Sequence, residues 1–316
     1  MAAGSGVEPV VFGAIYKERV WGGRRLETDL GRELPDVETP FGEAWDVVDR
    51  PDDRGRVVAG EHAGRTLQEL WTAHREELFG AGLEDAGPDF PMLLKILDAR
   101  RHLSVQVHPP ASVASELGGE AKTEMWYVLA ADPGAKLFVG VKEGVTRESF
   151  ERAVEEGRTE ETLHVLEPEV GEFLLIPSGR LHAIGAGLVL FEMQQNSDTV
   201  YRVFDWDRLG LDGAPRQLHT EEALRCIDFS DVAPSMGEAD GERLVDCEHF
   251  RVERWRFEPG AKRGGGEPRF ALYTVVEGTV SCGVSTFDPG CSFLLPVGGA
   301  PLVASAGGVV LRTTLP

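Results

Sequence analysis

Short apolar runs separated by Gly and Pro dominate the pattern along this chain. The runs are rich in β-branched and aromatic residues, which is typical of strands. They predict strands over residues 10–16, 45–48, 103–107, 125–129, 136–139, 172–176, 188–193 and 199–206. Apolar residues at helical spacing predict helices over 66–78, 146–156 and 220–226. Many strands with few helices predict a mainly β fold, a barrel or jelly roll with peripheral helices.

One strand-and-turn pattern, G-x5-P-x-G, occurs twice, at 171–179 and at 290–298. His182 follows the first copy, whereas Pro301 occupies the matching position after the second copy. The repetition predicts two related barrels, and only the first has a histidine at this position.

The strand that precedes each copy also has a possible metal ligand in the first case and none in the second. The run that starts at Glu124 has an apolar counterpart that starts at Ala271. A polar segment with Pro and Gly, residues 230–241, separates the two copies and is typical of a domain boundary. We therefore predict a catalytic domain with a metal site over 1–235 and a degenerate domain without metal over 236–316.

Net charge indicates which partners the chain can bind, and cysteine content and apolar runs indicate where it is located. The 316 residues carry a formal net charge of −21, which repels nucleic acid and anionic membranes. The four cysteines form no C-x-x-C pair, so we expect reduced thiols. Residues 1–9 lack the features of a signal peptide, and no apolar run approaches the roughly 20 residues that span a bilayer. We expect a cytoplasmic monomer or homodimer that acts on a small molecule.

Two predicted strands carry polar side chains on one face. Alternate residues of a strand share a face, which groups Ser104 with Gln106 and His108, and Lys122 with Glu124. If both strands line one barrel, these side chains converge, and His182 reaches them from the turn after the first G-x5-P-x-G.

Gln106, His108, Glu124 and His182 together form a mixed set of nitrogen and oxygen donors. Zinc suits such a set, and three or four protein ligands beside an open position are typical of catalytic sites. Iron, manganese, cobalt and nickel also fit, since no thiolate restricts the choice. A divalent cation beside one carboxylate leaves positive charge for an oxyanion such as an enediolate.

Three charged residues need an explanation, and two of them, Arg202 and Lys122, have two interpretations each. Arg202 could bind an anionic substrate or form a salt bridge with Asp198 or Asp205. Lys122 could face the metal site or lie in solvent at a strand end. Glu192 lies in an apolar run, where a carboxylate is costly unless it is paired or functional.

Beyond these residues, the chain resembles a known family. The segment from Gly171 to His182 resembles the second cupin motif, although Ala186 occupies the position where that motif ends in Asn. Gln106-x-His108 replaces the His-x-His of the first cupin motif, and Glu124 lies farther along, as in type I mannose-6-phosphate isomerases. The likeness extends to segments 21–23, 42–45, 90–95, 103–109, 122–127 and 195–202, in the order of the short bacterial branch.

The resemblance implies two cupin-type barrels and zinc bound by Gln106, His108, Glu124 and His182. It also implies active-site roles for Ser104, Lys122, Glu192 and Arg202. The implied reaction interconverts mannose 6-phosphate and fructose 6-phosphate through a cis-enediol.

That reaction needs a metal as Lewis acid, a base and cations for the phosphate. The sequence does not separate Glu192 from Lys122 as the base, and Glu192 could instead orient the ring-opening step. Trp21 and Trp126 could form walls of the pocket or pack in the core. Two other functions remain open, a metal-dependent cupin oxygenase and a sugar-phosphate-binding module without turnover.

Overall fold

The computed structural model describes residues 7–316, most of which lie in antiparallel strands, with few helices. The prediction of a mainly β fold is confirmed. The expectation that no targeting peptide is present concerns in part residues 1–6, which lie outside the described range. Within residues 7–316, no helix has the length and apolar character needed to cross a membrane.

The first part of the described chain forms two larger sheets. Its strands are β1 (Ile15–Gly23), β2 (Phe41–Val47), β3 (Asp49–Arg50), β4 (Asp53–Arg54), β5 (Met92–Ala99), β6 (Val105–Val107), β7 (Glu124–Ala131), β8 (Leu137–Val141), β9 (Leu163–Leu166), β10 (Phe173–Ile176), β11 (His182–Ile184), β12 (Leu188–Gln195) and β13 (Tyr201–Phe204). One sheet has the order β1-β2-β5-β12-β7-β10 and the other β13-β6-β11-β8-β9, while β3 pairs only with β4.

The last part of the chain forms a third sheet of seven strands. These are β14 (Arg243–Asp246), β15 (Arg251–Phe257), β16 (Ala261–Arg263), β17 (Ala271–Cys282), β18 (Ser285–Phe287), β19 (Ser292–Leu295) and β20 (Leu302–Thr314). The long strands β17 and β20 pair along most of their length, and the other five attach to them directly or through β15.

Five short α-helices lie between the strands of the first part and after them. They are α1 (Arg25–Thr28), α2 (Leu67–Ala73), α3 (Ala111–Ala114), α4 (Arg147–Glu155) and α5 (Thr220–Cys226). Thr66 caps α2 in a reciprocal pair of bonds with Glu69, and Thr146 caps α4 in the same way. All three predicted helices are therefore present, although the C-terminal half of the first becomes the π-helical turn Arg75–Phe79.

The two G-x5-P-x-G copies occupy matching places. Strand β10 pairs with β7 so that Ile176 lies opposite Glu124. Strand β19 pairs with β17 so that Leu295 lies opposite Ala271. The register is the same in both copies, so the aligned positions are equivalent in space.

The prediction of a strand over 10–16 is wrong in its placement, because regular pairing begins only at Ile15. Val10 instead bonds to Leu294 of the third sheet, and Phe12 forms an isolated bridge with Val57. These residues pair with different neighbours, so no ladder forms. One core cluster joins the parts of the chain and includes Phe191 from β12 and Leu272 from β17.

Candidate metal centre and active site

Three donor groups meet in the interior of the first barrel. His108, Glu124 and His182 are each 1% exposed, and their ligand atoms all lie within 4.8 Å of one another. His108 follows β6, Glu124 begins β7 and His182 begins β11, so strand ends from both sheets bring them together. This arrangement agrees with the convergence that the alternation of the strands predicts.

Backbone carbonyls orient both imidazoles. Nδ1 of His108 lies 2.8 Å from the Thr199 carbonyl oxygen, and Nδ1 of His182 lies 2.9 Å from that of Arg180. Each Nδ1 therefore carries the proton, and each Nε2 points into the cluster with a free lone pair. Burial lowers the pKa of His182 to about 3 and also lowers the pKa of His108, so both rings are neutral, as metal ligands must be.

Glu124 supplies the negative charge of the cluster. Burial alone would raise the pKa of its carboxyl, but Lys122 and the histidines hold it well below the usual value. Lys122 Nζ lies 2.7 Å from Glu124 Oε2. Burial opposes the charge of Lys122, yet Glu124 and then Glu192 raise its pKa. The interpretation of Lys122 as a solvated strand-end residue is wrong, because its side chain is only 4% exposed.

The side chains of this cluster fit a cation. His108 Nε2 is buried without a hydrogen-bond partner and lies 3.3 Å from Glu124 Oε2, which also lies 2.7 Å from Lys122 Nζ. Leaving a buried ring nitrogen unpaired is costly unless another group binds it. Two neutral imidazoles and a carboxylate would satisfy a divalent metal ion with their free lone pairs.

Gln106 lies at the edge of the same cluster. Its amide Nε2 is 3.3 Å from His182 Nε2, and its Oε1 accepts a hydrogen bond of 3.1 Å from Ser104 Oγ. A half-turn of the amide would present its oxygen to the cluster and its nitrogen to Ser104. Gln106 is therefore placed to add a fourth donor.

A cavity of about 570 Å³ opens onto this cluster between the two sheets. The predicted site residues that line it are Ser104, Gln106, Lys122, Glu124, His182, Glu192 and Arg202. His108 belongs to the site through its contact with Glu124. Trp21 and Trp126 also line the cavity while being 3% and 1% exposed, so both serve as wall and as core.

Four adjacent strands place a row of side chains across one wall of the site. Trp45 of β2 lies opposite Lys95 of β5, Lys95 lies opposite Glu192 of β12, and Glu192 lies opposite Trp126 of β7. Lys95 Nζ is 3.5 Å from Glu192 Oε2, and Trp126 Nε1 donates to Glu192 Oε1 at 3.0 Å. Burial and the nearby Glu124 raise the pKa of Glu192, although Lys122 and Lys95 oppose the rise.

Arg202, Arg208 and Arg216 form an arginine cluster at another side of the cavity, and two of them pair with one carboxylate. Asp205 accepts from Arg208 at 2.7 Å and from Arg216 Nε at 2.7 Å. Arg202 has no carboxylate within 4.0 Å among residues 7–316; its Nε donates to Ser104 Oγ at 3.1 Å and its Nη1 to the Gln217 carbonyl at 2.9 Å. The alternative of a salt bridge with Asp198 or Asp205 is therefore wrong, and the cluster keeps excess positive charge.

Sequence reasoning missed the roles of Lys95, Glu43 and Arg216, which all line the cavity. A signal existed for Lys95, because a lysine within the apolar run of β5 is as costly as the carboxylate at Glu192. Arg216 gave no such signal, since it lies in a polar segment outside every predicted strand and helix.

Comparison with known proteins identifies a single family. Residues 11–133 match the family described as phosphomannose isomerase type I, catalytic domain. The chain is 37% identical to the mannose-6-phosphate isomerase ManA of Bacillus subtilis over 305 residues, which covers 92% of this chain and 94% of that protein. It is 36% identical to the mannose-6-phosphate isomerase of Streptococcus mutans over 278 residues, 86% of this chain and 85% of that protein.

The fold agrees with that family. The crystal structure of the mannose 6-phosphate isomerase from Bacillus subtilis matches with a TM-score of 0.84 at 31% identity, covering 96% of this chain and 98% of that one. The two barrels are therefore of the cupin type, as the sequence motifs predict.

Proposed function

This chain belongs to the type I phosphomannose isomerase family, and from that premise we propose that it interconverts mannose 6-phosphate and fructose 6-phosphate. The observation that carries the proposal is one cavity with a metal-ligand cluster, a buried carboxylate and an arginine without a carboxylate partner. The reaction moves a proton between C1 and C2 of the open-chain sugar and needs these three kinds of group.

We propose zinc as the metal, with Gln106, His108, Glu124 and His182 as its ligands. When bound, the ion would act as a Lewis acid that stabilises negative charge developing on the substrate oxygens. Two neutral imidazoles and one carboxylate leave the site with net positive charge, which favours an enediolate. The division into a catalytic domain over 1–235 and a second domain over 236–316 is part of this proposal, since the cluster lies wholly in the first.

The geometry supports Glu192 as the base better than it supports Lys122. A base must accept a proton near the working pH, and burial raises the pKa of Glu192 toward that range. Lys122 is held as an ammonium by Glu124, so it suits the binding of an oxygen rather than the acceptance of a proton. Trp126 and Lys95 fix both carboxylate oxygens of Glu192.

The phosphate dianion would bind at the arginine cluster. Arg202 and Arg216 both line the cavity; among residues 7–316, Asp205 pairs with Arg208 and Arg216, while Arg202 pairs with no carboxylate. A planar guanidinium without a carboxylate partner suits two phosphate oxygens at once. Ser104 holds Arg202 at 3.1 Å and so sets the direction of this group.

The two other functions are less well supported. An oxygenase usually has an apolar pocket, whereas five basic residues line this cavity: Arg19, Lys95, Lys122, Arg202 and Arg216. A binding module without turnover would need no buried carboxylate beside the metal site, yet Glu192 occupies that position. Oxygen uptake on addition of a sugar phosphate would favour the first of these alternatives.

A coupled assay tests the proposal directly. Purified protein loaded with zinc is given mannose 6-phosphate, and the fructose 6-phosphate formed is followed through auxiliary enzymes to NADPH. We expect turnover, and we expect His108→Ala to lose metal, measured by elemental analysis, together with activity. Full activity in a metal-free His108→Ala protein would contradict the metal assignment, and no turnover by the metal-loaded wild type would contradict the isomerase assignment.

A further inference from the structure

A buried chain of contacts continues the row of Trp45, Lys95 and Glu192 away from the metal. Glu43 precedes Trp45 by two residues on β2, so both side chains lie on the same face of the strand. Trp45 Nε1 donates to Glu43 Oε2 at 2.6 Å. The Trp45 ring in turn lies 4.7 Å from the Lys95 ammonium. The indole therefore links a buried carboxylate to the lysine that faces Glu192.

Arg19 fixes the other side of Glu43. Its Nε and Nη2 donate to the two carboxylate oxygens at 3.0 and 3.1 Å, a bidentate pair with little freedom to rotate. Gly42 makes this approach possible, because a Cβ at that position would lie 2.7 Å from Arg19 Cβ and 2.6 Å from the Trp21 ring. The glycine beside Glu43 thus leaves the space in which Arg19 of β1 reaches the Glu43 carboxylate on β2.

The charge of Glu43 acts on Lys95. Burial alone would raise the pKa of Glu43, but Lys95 and then Arg19 lower it to about 2, so Glu43 is ionised throughout the working range. Lys95 lies 3.5 Å from Glu192 and 3.8 Å from Asp198, and Lys17 shares the Trp45 ring at 4.6 Å. No other buried carboxylate on β2 faces the cavity.

We propose that Glu43 is a positioning residue of the isomerase, which acts through the Trp45 indole to hold the Lys95 ammonium in the cavity beside Glu192. With the phosphate at the arginine cluster, Lys95 contacts the reacting end of the sugar beside the base Glu192. This inference rests on the proposed function and deepens it. Glu43 itself touches no substrate, so its effect must pass through Lys95.

A double-mutant cycle tests the order of action. Glu43→Gln is expected to lower kcat by about tenfold to hundredfold with KM changed little, because misplacing a catalytic group by about 1 Å has effects of that size. Lys95→Met is expected to lower kcat at least as much. The double variant is expected to be no worse than Lys95→Met, since Glu43 then has nothing to position. A further loss in the double variant equal to that of Glu43→Gln alone would overturn the proposal.

Asp46→Asn is the matched control. Asp46 lies on the same strand, is 6% exposed and forms a bidentate pair with Arg32, but it does not line the cavity. We expect Glu43→Gln and Asp46→Asn to lose similar thermal stability, while Asp46→Asn keeps wild-type kcat. Equal losses of kcat in both variants would assign Glu43 a merely structural role. If Glu43→Gln does not fold, Trp45→Phe makes the test, because it keeps an aromatic ring at this position and deletes the N–H that binds Glu43.

Binding separates this inference from the isomerase assignment. The same cycle is measured by calorimetry with 5-phosphoarabinonate, whose carboxylate imitates the reacting end of the enediolate. We expect Glu43→Gln to weaken binding in the wild-type background but not in the Lys95→Met background. Equal weakening in both backgrounds would contradict the inference. A wild type that binds the compound without turning over mannose 6-phosphate would contradict the proposed function alone.

Discussion

Arg202 differs from its neighbouring arginines in having no carboxylate partner among the described residues. Asp205 neutralises part of the charge of Arg208 and Arg216, whereas Arg202 donates only to a hydroxyl and a carbonyl. Burial lowers the pKa of Arg202, and Arg216 lowers it further, yet a guanidinium stays charged at neutral pH. An arginine of this kind contributes most to the binding free energy of a phosphate dianion, because the dianion neutralises a charge that no carboxylate balances.

Arg202→Ala should therefore keep the metal and lose most turnover of mannose 6-phosphate. A hydrogen bond to a charged group contributes about 1.5–3 kcal/mol, which corresponds to a loss of kcat/KM of roughly tenfold to hundredfold. Metal content by elemental analysis should stay at the wild-type level. Mannose without phosphate is the control substrate, and its slow conversion should hardly change. An equal loss on both substrates would exclude Arg202 as the phosphate group.

At the scale of residues, the sequence predicts the donors better than their surroundings. His108 and Glu124 could be placed because spacing on a strand decides which side chains share a face. The partners of Glu43 and Lys95 could not be predicted, because they depend on which strands become neighbours. That Lys95 lies opposite both Trp45 and Glu192 follows from sheet order, which no local pattern encodes.

Strands are the elements whose placement decides the site, and β11 is one of the two shortest that carry a donor. It spans His182–Ile184 and pairs with β6 on one side and β8 on the other. Gly185 follows it and donates to the Lys136 carbonyl at 2.8 Å, where a Cβ would lie 2.2 Å from the same oxygen. The backbone can admit that Cβ only if β11 separates from β8.

Gly185→Ala should consequently weaken metal binding by about tenfold or more, since His182 moves with its strand and changes in ligand orientation have effects of this size. Zinc affinity measured by competition with a chelating dye gives the readout. Gly144→Ala is the control, because nothing lies within 4 Å of a Cβ there and only its φ of +81° is unfavourable. That control should lose about 1–2 kcal/mol of stability and no zinc affinity. Unchanged zinc affinity in Gly185→Ala would show that β11 tolerates the displacement.

Within the first part of the chain, the sequence predicts seven strands and three helices that the structure contains, and two of its failures have a common cause. The missed strand β5 is buried along its whole length, so it shows no alternation that would separate it from other apolar runs. The misplaced run near Val10 is apolar because it is buried, and Val10 bonds to Leu294 of the third sheet, a residue far away in the chain. In both cases the pattern reports burial correctly, while the partner that buries the segment lies far away in sequence.

The molecule as a whole is strongly negative, whereas the arginine cluster at the cavity is positive. A net charge of −21 repels a phosphate dianion at long range, so binding has to depend on the arginine cluster at close range. Among the described residues, the second barrel contributes none to the lining of the cavity, and Ala271 and Pro301 occupy its positions equivalent to Glu124 and His182. Its contribution is to packing.

An aromatic cluster joins the second barrel to the first. Phe270 is 1% exposed, and its ring lies 5.2 Å from Phe79 and 5.6 Å from Phe90, centre to centre. Both partners belong to the first part of the chain, and both also contact Trp71. A shared core of this kind couples the folding of the two barrels, because neither can unfold without exposing apolar surface of the other.

Phe270→Ala should therefore destabilise the whole chain by about 3–5 kcal/mol, the usual range for a buried Phe. Wild type should unfold in urea in one transition, with isomerase activity and far-UV circular dichroism lost at the same midpoint, and both midpoints should fall together in the variant. Phe293→Ala, which removes a ring from the second barrel's own core, should also move both midpoints. Activity that survives the unfolding of the second barrel in either variant would mean that the two barrels fold independently.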